Sequence, residues 1–305
     1  MIQAEVAYRT LKGIGREQNE DHVGSVIPAA EIARARKGVI CAIADGVGGH
    51  GAGHIASAAA VKALLDDYYA PSSSTNVKQA LRRAMATANL RVNGLSDDHA
   101  EYRHMATTLT VVVLVGASAH VGHVGDSRVY HLRGDSWKQI TQDHTEVAQL
   151  VELGIVKPEM AIGHPFRHVL TRSVGQQPAM EPDFFQISIQ PGDIMVQCTD
   201  GVWSEMEDRE MAKIVRFREP QVACEQILDL CLSRGCQNDM AVQIVRVDAI
   251  DDGSRGVQDW PGAHLLSRLH HRDMHGRNAD GRNQVSVPSG GVSPRLPVER
   301  MICAI

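Results

Sequence analysis

Two hydrophobic rhythms alternate along residues 1 to 248, and the remainder of the chain has neither. EVAYRT (5–10) and GVICAIAD (38–45) are apolar runs of strand length. HIASAAAVKALLDDYY (54–69) instead spaces its apolar positions as a helix with an Ala-rich buried face. PSSST breaks that helix from a second one, NVKQALRRAMATANLRVN (76–93), whose entry Asn76 caps. Strand-rich segments follow at 107–116, 118–125 and 127–133; the GAS and GDS turns between them predict hairpins with antiparallel pairing. WKQIT adds another strand after Arg-Gly-Asp. From Asp143 to Phe166 a helical insert is broken by Gly154 and Pro158, which predicts a flap over 144–167 beside a site. FFQISIQ and DIMVQCTD flank Pro191-Gly192 and predict a further hairpin. EDREMAKIVRF and QVACEQILDLCLSRG read as helices, the second ending at a Gly cap, and MAVQIVRVD closes as a strand. Helices set between antiparallel strand runs predict an α+β fold with packed sheets inside and helices outside, as one catalytic domain over 1–250.

Beyond Asp248 the composition shifts to Gly, Asp, Arg, His, Ser and Pro, and such a segment buries too little apolar surface to offset its ordering entropy. Residues 251–305 are expected to be a mostly disordered, low-complexity tail. LLSRLHH and ERMICAI are its two segments with enough apolar content for a helical turn and a docked plug.

With 305 residues and 43% hydrophobic content, the chain can bury one large core. A net charge of -5 without a basic block argues against nucleic-acid or anionic-membrane partners. No signal-peptide opening is present, and the longest apolar run, LTVVVLVGA, is too short to span a bilayer, so a cytoplasmic location is expected. The six Cys (41, 198, 224, 231, 236 and 303) form no CxxC pair, and the 15 His are scattered with no HExxH, which leaves no framework for structural zinc or disulfides.

Acidic residues change the picture more. Asp45 in DGVGGH, Asp126 in GDSR, Asp200 in TDG and Asp239 in ND each adjoin a small residue, and GREQNED ends at Asp21. Three of them adjoin apolar runs: Asp45 follows VICAIA, Asp200 follows IMVQCT, and Asp239 precedes AVQIVRV. Carboxylates at the ends of central strands are costly unless a cation or hydrogen bonds compensate them. Together they describe an all-oxygen pocket for hard divalent cations, and hence metal-assisted phosphate chemistry.

RxxNED at 16–21, DGVGGH at 45–50, ATT at 106–108, GDSRVY at 125–130, TQDHT at 141–145, LTRSVG at 170–175, TDG at 199–201 and ND at 238–239 stand in one order. In that order they resemble the motifs of the PPM family, the metal-dependent type 2C serine/threonine protein phosphatases, over about residues 5–248. The DGVGGH form and short loops are similar to bacterial stand-alone members. The resemblance implies a four-layer αββα sandwich, with two antiparallel sheets holding a binuclear Mn²⁺ or Mg²⁺ centre. It implies that Asp45 bridges both ions, that the Gly46 carbonyl binds the second, and that Asp200 and Asp239 bind the first. Glu20 and Asp21 match acids that hold metal-bound waters. Asp126 matches an acid that forms, with Asp200, a weaker third site. Arg16 matches the guanidinium that clasps the substrate phosphate, a bidentate task beyond Lys.

Chemistry supports the same reading. A phosphomonoester is inert in water, and two cations about 3.5–4 Å apart can hold a water as hydroxide while offsetting phosphoryl charge. No protein nucleophile is required, and neither a CxxxxxR thiolate loop nor a GxSxG elbow is present. Val47 stands where many eukaryotic relatives carry a His proposed as general acid; His50, His54 or a metal-bound water are the candidates left. Thr107 and Thr108 either seed a strand or hydrogen-bond a metal ligand. Ser127 and Arg128 read as turn and salt-bridge residues, His144 and Thr145 as caps of the flap helix, and Arg172 as a flap-orienting residue.

The expected activity is hydrolysis of phosphoserine and phosphothreonine on proteins, opposing a serine/threonine kinase. A pseudophosphatase that binds phosphoproteins without turnover is the alternative, and the full acidic set with Arg16 argues against it. A divalent-ion sensor leaves Arg16 without a purpose.

Overall fold

Strand β3 (Val39–Val47) is buried on both faces, and its alternation divides the molecule into layers. Ile40, Ala42 and Ala44 point into a core shared with helices, whereas Val39 and Cys41 point into a core shared with a second sheet. The chain is described here from a computed structural model, for residues 1–48, 52–70, 74, 76–161 and 163–251 and the backbone of 301–303.

One sheet runs β1 (Ile2–Leu11), β11 (Met240–Ile250), β10 (Ile194–Cys198), β7 (Arg128–Arg133) and β8 (Ser136–Gln139), in that spatial order. The other runs β12 (Met301–Cys303), β2 (Asp21–Val26), β3, β5 (Leu109–Val115), β6 (Ser118–Val124) and β9 (Asp183–Ser188), with β4 (Ala106–Thr107) also pairing β3. All pairings are antiparallel.

Helices α2 (Gly53–Tyr68) and α3 (Val77–Asp98) cover the second sheet, and α7 (Asp208–Phe217) and α8 (Pro220–Ser233) cover the first. The middle layer is filled by Ile2, Val112, Val121, Val129, Met195 and Val245 from both sheets. Each such side chain, fully buried, stabilises the fold by about 1.5–3 kcal/mol. Asn76 caps α3 as its sequence predicts, its side chain accepting from the Gln79 N–H. Gly24 lets α2 bed on β2: a Cβ there would lie 2.6 Å from Val61 Cγ1. These are the four layers of an αββα sandwich, the expected α+β architecture.

Two expected hairpins are corrected. β5 and β6 do pair as a hairpin, but the GDS turn after β6 carries the chain across to β7 in the other sheet. Pro191-Gly192 likewise joins β9 in one sheet to β10 in the other. Turn residues mark a reversal without saying where the next strand docks; burial decides that. β10 is buried at every position and needs neighbours on both edges, whereas half-exposed β9 takes an edge. Asp193, 1% exposed, secures this second crossing by accepting from Arg133, His131 and the Gln190 N–H.

DHVGSV forms strand β2 and EIARARK forms helix α1 (Glu31–Lys37), neither of which its sequence pattern predicts. The flap contains α4 (Glu146–Glu152) and α5 (Pro158–Ala161), separated at Gly154, whose φ is 70°. Thr145 caps α4, accepting from the Ala148 N–H. Most of the expected tail, with LLSRLHH, lies outside the described residues. Within ERMICAI, residues 301–303 form β12 against β2, with Met301 opposite Val26.

Candidate metal centre

The acids gather because the two sheets end at the same side of the sandwich. Asp21 starts β2 and is the cross-strand partner of Asp45 near the end of β3. Asp200 follows β10 and opens the short helix α6 (Asp200–Trp203), and Asp239 immediately precedes β11. Asp126 lies in the crossing from β6 to β7. A cavity of about 310 Å³ opens here, lined by Arg16, Glu20, Asp45, Gly46, Asp126, Asp200 and Asp239, with Val47, His168, Leu170 and Asn238 among its other walls. Asp21 sits one layer deeper, 6% exposed. Thus Arg16, Gly46 and the acids singled out from the sequence line this cavity, except Asp21, which backs it.

Backbone and side-chain donors fix the acids in place. Asp239 accepts from the Gly13 N–H at 2.9 Å through Oδ1 and from the Glu20 N–H at 2.8 Å through Oδ2. The Asp45 N–H donates to Thr108 Oγ1, and the Asp45 carbonyl accepts from Thr107 Oγ1, both at 2.8 Å. Thr108 Oγ1 also bonds Ser127 Oγ at 2.8 Å. Glu20 Oε1 accepts from the Gly53 N–H at 3.0 Å. Gly46 and Gly53 pass so closely that a Cβ on Gly46 would lie 2.1 Å from the Gly53 carbonyl oxygen, so a larger residue would displace the end of β3 that carries the Gly46 carbonyl.

The electrostatics of this arrangement call for positive charge. Burial first, then the charges of Asp21, Asp200 and Asp126, pushes the Asp45 carboxyl well above the usual range. Burial likewise raises Asp21, opposed by the Thr199 hydroxyl, with Asp200 and Asp239 adding to the rise. Burial and then Asp200 and Asp143 raise Asp126. Asp21 Oδ2 accepts from Thr199 Oγ1 at 2.7 Å, while its buried Oδ1 has no hydrogen-bond partner among the described residues. Carboxylates crowded in this way, with an orphaned oxygen among them, fit hard divalent cations bound through oxygen.

Arg16 reaches the mouth of the cavity with a side chain 44% exposed. Its Nη2 donates to Asn238 Oδ1 at 3.1 Å, its Nε donates to the Gln237 carbonyl at 3.4 Å, and its Nη1 lies 3.7 Å from Glu20 Oε2. Arg128 pairs with Asp143 and stacks on Trp203, whose indole N–H donates to the Asp126 carbonyl at 2.9 Å. Arg172 binds Asp183, which also lies 3.1 Å from His144 Nε2, so this pair ties the end of the flap to β9. His50 lies outside the described residues, and His54 sits in the first turn of α2, away from the cavity lining. One cavity residue has no sequence signal: His168 reaches the acids from the flap, and nothing in GHPFRHV separates it from the other scattered His.

Comparison with known proteins points to one family. Residues 18–230 match the protein phosphatase 2C family. The chain is 31% identical over 250 residues to protein phosphatase PhpP of Streptococcus pneumoniae serotype 2, spanning 81% of this chain and 99% of that protein. It is similar to the crystal structure of the Mycobacterium tuberculosis serine/threonine phosphatase PstP/Ppp, with a TM-score of 0.71 and 28% identity over 80% of this chain and 99% of the other. A further similar structure, the catalytic domain of PstP in complex with 2 manganese ions, has a TM-score of 0.69 at 28% identity, covering 81% and 99% of the two chains. The chain therefore belongs to the protein phosphatase 2C family of metal-dependent serine/threonine protein phosphatases.

Proposed function

We propose that this chain hydrolyses phosphoserine and phosphothreonine on protein substrates, using Mn²⁺ or Mg²⁺ held by Asp45, the Gly46 carbonyl, Asp200 and Asp239. The observation that carries this reading is the meeting of buried acids from both sheets with an Arg at a single open cavity. What a divalent pair supplies when bound is Lewis acidity, which makes a hydroxide nucleophile accessible at neutral pH and offsets phosphoryl charge.

The chain's own residues do the rest. Asp45, whose carboxyl feels the charges of Asp21 from its own sheet and of Asp200 from the other, would be the ligand shared by the two ions. Asp239, with each oxygen already holding one backbone N–H, is locked in a single orientation. Glu20 and Asp21 would hold waters bound to the centre, and Asp126 with Asp200 would hold a weaker third ion. Arg16, pre-set by Asn238 and the Gln237 carbonyl, presents its guanidinium fork to the phosphate. Val47 has no proton to give, so the proton for the leaving oxygen would come from water bound at the centre. Residues 1–250 form the catalytic domain, and the flap selects the substrate through exposed Leu153, Ile155 and Met160.

The physiological counterpart is a serine/threonine kinase acting on the same phosphoproteins in the cytoplasm. No helix among the described residues is long and apolar enough to cross a membrane. Purified protein given a phosphothreonine peptide should release phosphate with Mn²⁺ and stop with EDTA. Peptide binding without metal-dependent release would instead support the pseudophosphatase.

A further inference from the structure

On the flap side of the cavity, three ligating atoms come together: one carboxylate oxygen each from Asp126 and Asp200, and a ring nitrogen of His168, all within 4.8 Å of one another. His168 lies between α5 and Leu170, which bridges back to Thr145, so it belongs to the flap. Two features turn these atoms toward the cavity rather than into bonds with neighbouring groups. Asp126 is 4% exposed, yet its carboxylate accepts no hydrogen bond from another described residue. His168 Nδ1 is buried and lies 2.9 Å from Asp200 Oδ2, within ion-pair distance but off the line of a hydrogen bond. The two atoms are close but turned off each other's axis, as ligands aimed at a common centre are.

We propose that His168 is a nitrogen ligand of a divalent cation held by Asp126 and Asp200, and that this cation fastens the flap to the catalytic cavity. The proposal rests on the metal-dependent reading above and adds to it a flap residue and a choice of ion. Ligands on bonds of about 2.1 Å lie at most about 4.2 Å apart, so a small closure of the set completes the site. Trp203 steadies two of the three ligands: its ring centroid is 6.1 Å from that of His168, and its N–H holds the Asp126 carbonyl. Adding imidazole to carboxylates shifts preference from Mg²⁺ toward Mn²⁺, Co²⁺ or Zn²⁺. Binding there joins a segment that carries exposed apolar side chains to the wall of the cavity, so ion occupancy sets where the flap rests.

The test is pulsed electron paramagnetic resonance on the full chain, stripped of metal and titrated with Mn²⁺. Nitrogen hyperfine coupling should emerge with the weakest-binding ion in the wild type. It should be absent from His168→Ala, in which that binding event weakens at least tenfold while two tighter ions remain. Asp126→Asn should lose the same event with His168 intact. A wild-type spectrum without nitrogen coupling at saturating Mn²⁺, or coupling that survives in His168→Ala, overturns the proposal. If two ions bind and phosphopeptide is hydrolysed without any nitrogen coupling, His168 is no ligand and the phosphatase reading stands; if no Mn²⁺ binds, both fall.

Discussion

Asp21 and Asp45 face each other across β2 and β3 at the same register position, which sets two carboxylates side by side at one end of the second sheet. Both are pushed upward, by burial before all else, and a carboxyl raised in the folded state contributes stability that is lost as pH rises through its folded pKa. Without metal, the protein is therefore held at neutral pH against its own charges. Asp45→Asn should lower turnover by several orders of magnitude and, in EDTA at pH 7.5, raise folding stability by about 1 kcal/mol. Denaturant titrations of both proteins with EDTA from pH 5 to 8 check this, with a shallower loss toward high pH expected for the variant.

Among the described residues, the Arg16 guanidinium is held by Asn238, the Gln237 carbonyl and Glu20, and much of its fork is left in solvent. Arg16→Ala should raise KM for a phosphopeptide about tenfold or more with a smaller effect on kcat, and Arg16→Lys should not restore it. Steady-state kinetics at saturating Mn²⁺ measures the split; an unchanged KM would remove Arg16 from the phosphate.

Thr108 is fully buried, with its hydroxyl between the Asp45 N–H and Ser127 Oγ. Thr108→Val leaves both without their partner, at a cost of about 1–3 kcal/mol. Because the lost bond positions the backbone of Asp45, Mn²⁺ affinity should fall about 10–100-fold, and Thr108→Ser should keep most of it. Calorimetric titration of Mn²⁺ into the three proteins decides.

His123 is buried between Thr110 Oγ1 at 2.9 Å and the Gln142 carbonyl at 3.0 Å. Burial first, then neighbouring His144, pushes its pKa down to about 3. A histidine depressed in the folded state contributes stability that is present above its unfolded value and lost as pH falls below it. From about pH 6.5 downward, the wild type should lose ~1.4 kcal/mol per pH unit more than His123→Gln. Parallel stability curves for the two proteins between pH 7.5 and 5.5 would contradict this.

Strand and helix periodicity made most elements legible in the sequence, because β3, β5 and β10 are buried on both faces and α2 and α3 carry continuous buried stripes. β2 escaped because DHVGSV mixes polar and small residues that become buried only beneath α2 and beside β12. The sheet crossings at Asp126 and Asp193 escaped because a turn dipeptide carries no information about which sheet receives the following strand. Site acids were legible as a set through their strand-end positions. His168 was not, because its role depends on the flap folding back to Asp200, a contact between residues 32 positions apart that no local pattern encodes.

Crystals soaked in Mn²⁺ and recorded at the manganese absorption edge test the central claim most directly. Two anomalous peaks about 3.5–4 Å apart, with Asp45 between them and Asp200 and Asp239 on one of them, are predicted. A single peak in the cavity, or peaks that do not share Asp45, would contradict it.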